Sequence, residues 1–186
     1  TAMYRGFWSI LAPLVILGQI TAAEREGRDD MFKTAHRESR VVAVSTEQMF
    51  DLVADVERYP EFLPLMREAR IVSRHASGYE TEQVLMLGLL AYRFRTRTEL
   101  EPPHAIAVTS ADRNFRRFEI RWSLAPATEG GCRIDFSLDC EVRSLWFKPL
   151  GDVLVTQMAL TTVNAFAARA RRLEAGQALS VQRPRA

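Results

Sequence analysis

The chain has 186 residues, of which 47% are hydrophobic and 26% are charged. These values are typical of a protein that folds around one core, and they exclude a disordered, collagen-like or polytopic membrane protein. The 25 basic and 23 acidic side chains leave a formal charge of only +2. Bulk electrostatics therefore gives no reason to expect a nucleic-acid partner, and we predict no direct DNA binding.

The first thirty residues differ in character from the rest of the chain. Residues 6–23 carry no charged side chain, and as a helix they would span about 27 Å, which is marginal for a bilayer. Three interpretations stay open: a membrane anchor, an export signal, or an extension that precedes a natural start at Met31. The predicted organisation is an extension over residues 1–30, a domain over 31–176 and a polar tail over 177–186.

A short amphipathic helix is predicted after an extended segment over residues 34–44. Ser45 is a suitable N-cap, and from Thr46 to Val56 the apolar side chains recur at helical spacing, at Met49, Phe50, Leu52 and Val53. The segment over residues 59–64 then contains two prolines, which are incompatible with a regular helix or a central strand.

Alternation of apolar and polar residues begins at residue 69 and indicates strands with one buried face. Six strands are predicted, over residues 69–75, 79–87, 91–100, 105–112, 115–124 and 132–142. The connections between them are too short for parallel crossovers, so the sheet is predicted to be an antiparallel meander. Its outer face carries a row of arginines for which acidic residues of other strands are the expected partners: Arg93, Arg95 and Arg97, with Glu80, Glu82 and Glu119.

The last predicted element is a long helix over residues 149–175, closed by Gly176. Its apolar residues recur at steps of three and four, so it must lie on an apolar surface, and the inner face of the sheet is the surface available. The predicted fold class is therefore α+β, with a curved antiparallel sheet of six to seven strands wrapped round a long C-terminal helix.

The cysteines and histidines predict neither a disulfide nor a metal site. Cys132 and Cys140 lie on one predicted strand about 26 Å apart, whereas a disulfide needs Cα atoms within about 7 Å. We expect two buried thiols. His36, His75 and His104 are too scattered for a metal-ligand cluster.

Several short motifs in this order of elements resemble the START-like coenzyme Q-binding proteins. That family lies within the polyketide cyclase/dehydrase-like superfamily and also includes chains named ribosome-association toxins. The resemblance covers Met31 to Ala175 and rests on Tyr59-Pro60-x-Phe62-Leu63-Pro64, Trp122 with Pro126, Phe136 to Glu141 with Ser144, and Ala165-Phe166-x-x-Arg169-Ala170. The chain departs from many members at Leu65 and Met66, where they have a tryptophan.

The resemblance implies a helix-grip fold with a hydrophobic tunnel. It implies binding of a polyprenyl quinone such as ubiquinone, in support of respiration and ubiquinone biosynthesis, without catalysis and without a catalytic cofactor. From periodicity alone, a filled core and a lined pocket both stay open. If there is a pocket, we expect its lining to include Phe50, Tyr59, Phe62, Leu63, Phe94, Phe118, Trp122, Leu154, Met158 and Phe166.

A carrier of this kind is expected to contact the membrane surface transiently. The turn over residues 59–63 is then either a lid or membrane-touching lip, or a plug packed on the long helix. The expected location is the cytoplasm, peripheral to the inner membrane. If residues 6–23 are functional, the protein would instead be membrane-anchored or exported.

Two other functions stay open. One is a cyclase- or hydrolase-like enzyme, because the same architecture hosts such enzymes; the candidate groups are His36, Tyr92, Gln157 and Asn164, and there is neither a Gly-x-Ser-x-Gly motif nor a pair of carboxylates. The other is a toxin-like protein that binds ribosomal subunits and inhibits translation. Ribosome binding would require a net basic face, whereas the predicted outer face mixes both signs.

Overall fold

Seven antiparallel strands form one open sheet in the computed structural model, which describes residues 32–87, 89–113, 115–142, 161–173 and 175. The strands are β1 Phe32–Val42, β2 Met66–His75, β3 Gly78–Leu87, β4 Leu90–Glu101, β5 Ala105–Thr109, β6 Phe115–Pro126 and β7 Cys132–Val142. Their order across the sheet is β1-β7-β6-β5-β4-β3-β2, so β2 to β7 form the predicted meander and β1 pairs antiparallel with β7.

β2 begins at Met66, three residues before its predicted start at residue 69, and β5 is the other strand of the meander that differs by as much. It ends at Thr109, three residues before the expected end at residue 112. Ser110 turns the chain there, because its hydroxyl donates to the carbonyl of Arg95 (2.6 Å) and accepts from the backbone N–H of Asp112 (3.2 Å). A serine side chain that satisfies local backbone groups in this way competes with the strand ladder.

Helix α1, Thr46–Ala54, begins at the predicted N-cap. The Gln48 N–H donates to Ser45 Oγ (3.2 Å), while the Ser45 N–H donates to Gln48 Oε1 (2.9 Å), which completes a capping box. A 3₁₀ helix, Val56–Glu61, follows and contains Pro60. The prolines do exclude an α-helix and a central strand, but the φ that the proline ring imposes is also that of a 3₁₀ helix.

The C-terminal helix, α2, is described over residues 161–173, within the predicted range of 149–175. Residues 143–160 lie outside the described part of the chain. The buried core joins α1, α2 and one face of the sheet, and its largest fully buried side chains include Met49, Ile106, Ile134 and Phe166. Both cysteines are free and buried, as predicted, and burial raises the pKa of the Cys140 thiol to about 12.

A glycine is required where the turn between β6 and β7 passes the end of β1. Gly131 has a φ of +84°, and a Cβ at this position would lie 2.1 Å from the carbonyl oxygen of Val42. Any other residue would be strained there both by its backbone conformation and by this contact.

The outer face carries the predicted ladder of charges. Glu82 accepts hydrogen bonds from Arg70 (2.7 Å) and Arg93 and lies 3.5 Å from Arg95, while Arg97 lies 3.9 Å from Glu80. The expectation for Glu119 was wrong, because that side chain pairs instead with two neighbours on its own strand, Arg117 and Arg121. The sheet order explains this: β5 lies between β4 and β6, and puts Glu119 out of reach of the β4 arginines.

The arginines around Glu82 make a testable contribution to acid stability. Hydrogen bonds from Arg70 and Arg93 lower the pKa of Glu82 from 4.5 to about 2. This stabilisation is therefore complete above pH 4.5 and is lost as the pH falls towards 2. We expect Glu82→Gln to flatten the fall in the free energy of unfolding between those two pH values, measured by urea denaturation.

The matched control for this experiment is Glu80→Gln. Glu80 lies on the same face of the same strand, but its side chain is 45% exposed and 3.9 Å from Arg97. This control should keep the steep wild-type dependence on pH. If the free energy of unfolding falls with pH as steeply in Glu82→Gln as in the wild type, the arginine cluster does not determine the acid stability.

Candidate ligand-binding cavity

A cavity of about 180 Å³ lies between the inner face of the sheet and helices α1 and α2. Its walls come from alternate residues of the strands, because successive side chains of a strand point to opposite faces. β4, β6 and β7 supply half of the described lining residues: Tyr92, Phe94, Thr96 and Thr98; Phe115, Phe118, Ile120 and Trp122; Phe136, Leu138, Cys140 and Val142. The inner face of the sheet is therefore a lined pocket and not only a filled core.

The structure brings together six of the ten predicted lining residues around this cavity: Tyr59, Leu63, Phe94, Phe118, Trp122 and Phe166. Phe50 is buried in the packed core beside the cavity and does not line it. Phe62 packs on α2 and faces a second, more open depression that is also lined by Leu173. Leu154 and Met158 lie outside the described residues.

Polar residues in the wall were missed by the prediction. Gln83, Thr96 and Thr98 line the cavity, although each is less than 10% exposed. The alternation of inward and outward residues along the strands could have identified these three polar residues. Thr96 and Thr98 share a face with Phe94, and Gln83 shares one with Leu85, so each falls at an inward position.

The two phenols nearest α1 are already engaged. The Tyr59 hydroxyl donates to the Val53 carbonyl, and the Tyr79 hydroxyl donates to the Ala54 carbonyl (2.7 Å). These carbonyls belong to the last turn of α1 and lack partners within the helix. Burial raises the pKa of Tyr59 well above its ordinary value and that of Tyr79 to about 12. Both phenols stay neutral at physiological pH.

The described lining offers few of the groups that acid–base catalysis commonly uses. None of the described lining residues is Asp, Glu, His, Lys or Arg. Of the candidate catalytic groups, Tyr92 lines the cavity, whereas His36 does not, and Asn164 accepts a hydrogen bond from Arg40 (2.8 Å) on the surface. Gln157 lies outside the described residues. A proton-transfer site would need a base with a pKa near physiological pH and a second group that orients this base.

The segment over residues 59–63 is a plug and not a free lip. Tyr59, Phe62 and Phe166 form a cluster of edge-to-face contacts with ring centroids 5.0–5.9 Å apart. Arg169 adds a 2.8 Å ion pair to Glu61 and lies over the Phe62 ring at 5.8 Å. The large apolar residues of this segment are thus explained by packing on α2.

A different segment exposes an apolar residue close to the cavity. The turn between β3 and β4 falls in an uncharged run over residues 84–91, and Leu89 in this turn is 99% exposed. Leu85 and Tyr92, on the two strands of the same hairpin, line the cavity. The sequence feature that indicates this exposed segment is an apolar run that continues across a predicted turn, where polar residues are usual.

Neither metal binding nor membrane spanning is indicated by the part of the chain that the structure describes. Within it, no three potential metal ligands come together. No helix in the same part is both long and apolar enough to cross a bilayer.

The family model described as polyketide cyclase / dehydrase and lipid transport matches residues 42–167. The chain belongs to this family. Its relatives include the ribosome association toxin RatA of Pseudomonas aeruginosa, which is 32% identical over 73% of this chain and 94% of its own length. They also include the mitochondrial coenzyme Q-binding protein COQ10 homolog B of Xenopus laevis, which is 28% identical over 74% of this chain and 58% of its own length.

Solved structures of START-like proteins share the fold of this family member. A START superfamily protein from Mycobacterium smegmatis superposes with a TM-score of 0.60 at 21% identity, over 77% of this chain and 98% of that one. The Zhui aromatase/cyclase from Streptomyces superposes with a TM-score of 0.64 at 15% identity, over 76% and 94%. The predicted helix-grip fold and the START-like resemblance are thus confirmed, whereas identities this low carry no information on activity.

Proposed function

We propose that this protein binds a polyprenyl quinone, such as ubiquinone, in the apolar cavity. It would act as a carrier that supports ubiquinone biosynthesis and respiratory electron transport. The observation that carries the proposal is the cavity itself, a largely apolar space walled by aromatic and aliphatic side chains. The coenzyme Q-binding relative from Xenopus adds support.

The size of the cavity suggests which part of the ligand it holds. About 180 Å³ is below the roughly 300 Å³ at which pockets for drug-sized molecules begin. The substituted ring, with at most the start of the isoprenoid tail, is therefore the natural occupant. Burial of isoprenoid surface is worth about 25 cal/mol per Å², so binding depends on a close apolar fit.

The proposed role does not include catalysis. The described lining holds the neutral phenols of Tyr59 and Tyr79, the Tyr92 hydroxyl, threonine hydroxyls, one amide and a thiol of raised pKa. None of these is ready to remove a proton or attack a carbonyl at physiological pH. The likeness to an aromatase/cyclase is one of fold alone, so it does not support a cyclase- or hydrolase-like activity.

The direct test is to purify the full chain from a quinone-producing host and to extract the bound lipid for mass spectrometry. We expect a polyprenyl quinone at a substantial fraction of the protein's molar amount, and uptake of added short-chain ubiquinone by delipidated protein. Absence of quinone in the extract, together with no binding of the added compound, would overturn the proposal.

A quinone carrier must collect its ligand from a bilayer, and we assign the membrane contact to the β3–β4 hairpin. Its turn residue Leu89 is almost fully exposed. Burial of one leucine side chain is worth about 1.5–3 kcal/mol, and 1.4 kcal/mol corresponds to a tenfold change in affinity. Leu89→Ser should therefore weaken binding to phosphatidylcholine/phosphatidylglycerol vesicles roughly tenfold in a flotation assay, with the free energy of unfolding unchanged.

Val41→Ser is the matched control for the hairpin. Val41 is another exposed apolar residue, 58% exposed on β1, away from the cavity lining. Its substitution should leave vesicle binding as in the wild type. Equal binding by both variants would remove the hairpin from the membrane contact without touching the proposal that the cavity binds quinone.

Ribosome binding with inhibition of translation is the second candidate. The 32% identity to a ribosome association toxin favours it, as do exposed arginines on the outer face such as Arg37, Arg70 and Arg95, whose side chains are 63%, 63% and 70% exposed. Cosedimentation with ribosomal subunits at low salt and release at high salt would support it. No cosedimentation at low salt would remove it.

The proposed location follows from the proposed carrier role. We place the protein in the cytoplasm at the periphery of the inner membrane, or in an anchored or exported form if residues 6–23 are functional. Fractionation of cells that express the full chain, followed by a high-salt wash of the membranes, distinguishes these cases.

A further inference from the structure

A polar triangle is built into the otherwise apolar wall of the cavity. Gln83 Nε2 lies 2.9 Å from Thr81 Oγ1 and 3.1 Å from Thr96 Oγ1, and the two hydroxyl oxygens are 2.7 Å apart. The three residues are 0–8% exposed. Thr81 and Thr96 face each other across the β3–β4 ladder, and Gln83 is two residues from Thr81 on the same face.

The protons available fix the orientation of the amide. With Nε2 towards the threonines, each N–H donates to one hydroxyl oxygen and one hydroxyl donates to the other, so all three contacts are hydrogen bonds. With the amide reversed, its oxygen would face the two hydroxyls, and their two protons could make hydrogen bonds of only two of the three contacts. The third contact would hold two acceptor oxygens at hydrogen-bond distance with no proton between them. The network therefore directs the amide nitrogen at the threonines.

The same orientation leaves the amide oxygen facing the cavity. Gln83 lines the cavity, and no described residue donates a hydrogen bond to its Oε1. Once a ligand has displaced water from the cavity, an acceptor left without a donor costs about 1–3 kcal/mol. The triangle also holds one hydroxyl proton that its own contacts do not use, and Thr96, which lines the cavity, can carry it. The wall thus offers one fixed acceptor and one adjustable donor.

We propose that this triangle selects the hydroxyl-bearing, reduced form of the ring, a prenylated hydroquinone, over the oxidised quinone. A hydroquinone O–H can donate to Gln83 Oε1 and accept from the threonine hydroxyl through the same oxygen. A quinone carbonyl can only accept, so it leaves Oε1 without a donor. Sites built to bond a substrate hydroxyl discriminate strongly against analogues that lack it, because their buried polar groups stay unpaired. The inference rests on the proposed binding of quinones.

Anaerobic titration calorimetry with decylubiquinol and decylubiquinone tests this inference on the full chain. We expect the wild type to bind the quinol at least tenfold more tightly than the quinone. Gln83→Leu replaces the amide by an apolar group of similar size, and should bring the ratio of the two affinities close to one, mainly through weaker quinol binding. The ratio compares two ligands on one protein, so a general loss of stability does not alter it.

Two further variants keep the test decisive. Thr96→Val retains Gln83 but removes one side of the triangle that orients it, and should also lower the ratio if Gln83→Leu does not fold. Thr109→Val makes the same change at an exposed threonine of β5 that does not line the cavity and should leave the ratio at its wild-type value. A wild-type ratio near one, or one that neither Gln83→Leu nor Thr96→Val changes, would mean that only water meets Oε1 and would overturn the inference. Failure of both ligands to bind would instead count against the proposed function.

Discussion

Replacing Phe166 by alanine is expected to lower the free energy of unfolding by about 3–5 kcal/mol, the cost of removing a fully buried phenylalanine. Phe166 is 1% exposed, and its ring contacts Tyr59 at 5.2 Å, Phe62 at 5.0 Å and Trp122 at 5.0 Å between centroids. One side chain therefore joins α2 both to the 3₁₀ helix and to the sheet. Urea denaturation followed by circular dichroism measures the change.

The control for this substitution lies on the same helix. Leu173 is 40% exposed, and Leu173→Ala should change the free energy of unfolding by only about 0.5 kcal/mol. Both changes end in alanine, so helix propensity favours each and does not explain the difference. A loss below about 1 kcal/mol for Phe166→Ala would show that α2 does not depend on this cluster for its position.

The sheet was predictable because its alternation is nearly unbroken. In β6 and β7, apolar residues such as Trp122 and Phe136 occur at every second position, and a period of two leaves only one choice of buried face. Short links between strands then excluded parallel pairing. The place of β1 beside β7 was not predictable in this way, because β1 and β7 are far apart in the chain and no local pattern records which strands pair.

The cavity lining was less predictable than the sheet. Apolar spacing on α1 identifies Phe50 and Val53 as buried, yet only Val53 lines the cavity, because the apolar stripe of the helix is wider than the part that faces it. In the turn after α1, Phe62 and Leu63 are adjacent and point in different directions. The 3₁₀ helix and its contact with α2 determine which of the two side chains lines the cavity. The spacing of apolar residues in the sequence predicts neither the 3₁₀ helix nor this contact.

Filling the cavity is expected to abolish quinone binding. Val108 lies at the centre of the wall, paired with Thr98 on one side and Ile120 on the other, and all three residues line the cavity. A tryptophan at position 108 would occupy much of the 180 Å³ available. We expect Val108→Trp to weaken the binding of short-chain ubiquinone at least 100-fold, which corresponds to about 2.7 kcal/mol, as measured by titration calorimetry.

The neighbouring residue supplies the control, because successive side chains of a strand point to opposite faces. Ala107→Trp adds the same ring to the outer face of β5 and should leave quinone affinity within about twofold of the wild type. Overpacking typically costs about 1–3 kcal/mol of stability, so both variants are first checked by thermal unfolding, with Val108→Phe as a milder alternative. Wild-type affinity in a folded Val108→Trp variant would place the quinone outside this cavity, and the carrier proposal would lose the observation on which it depends.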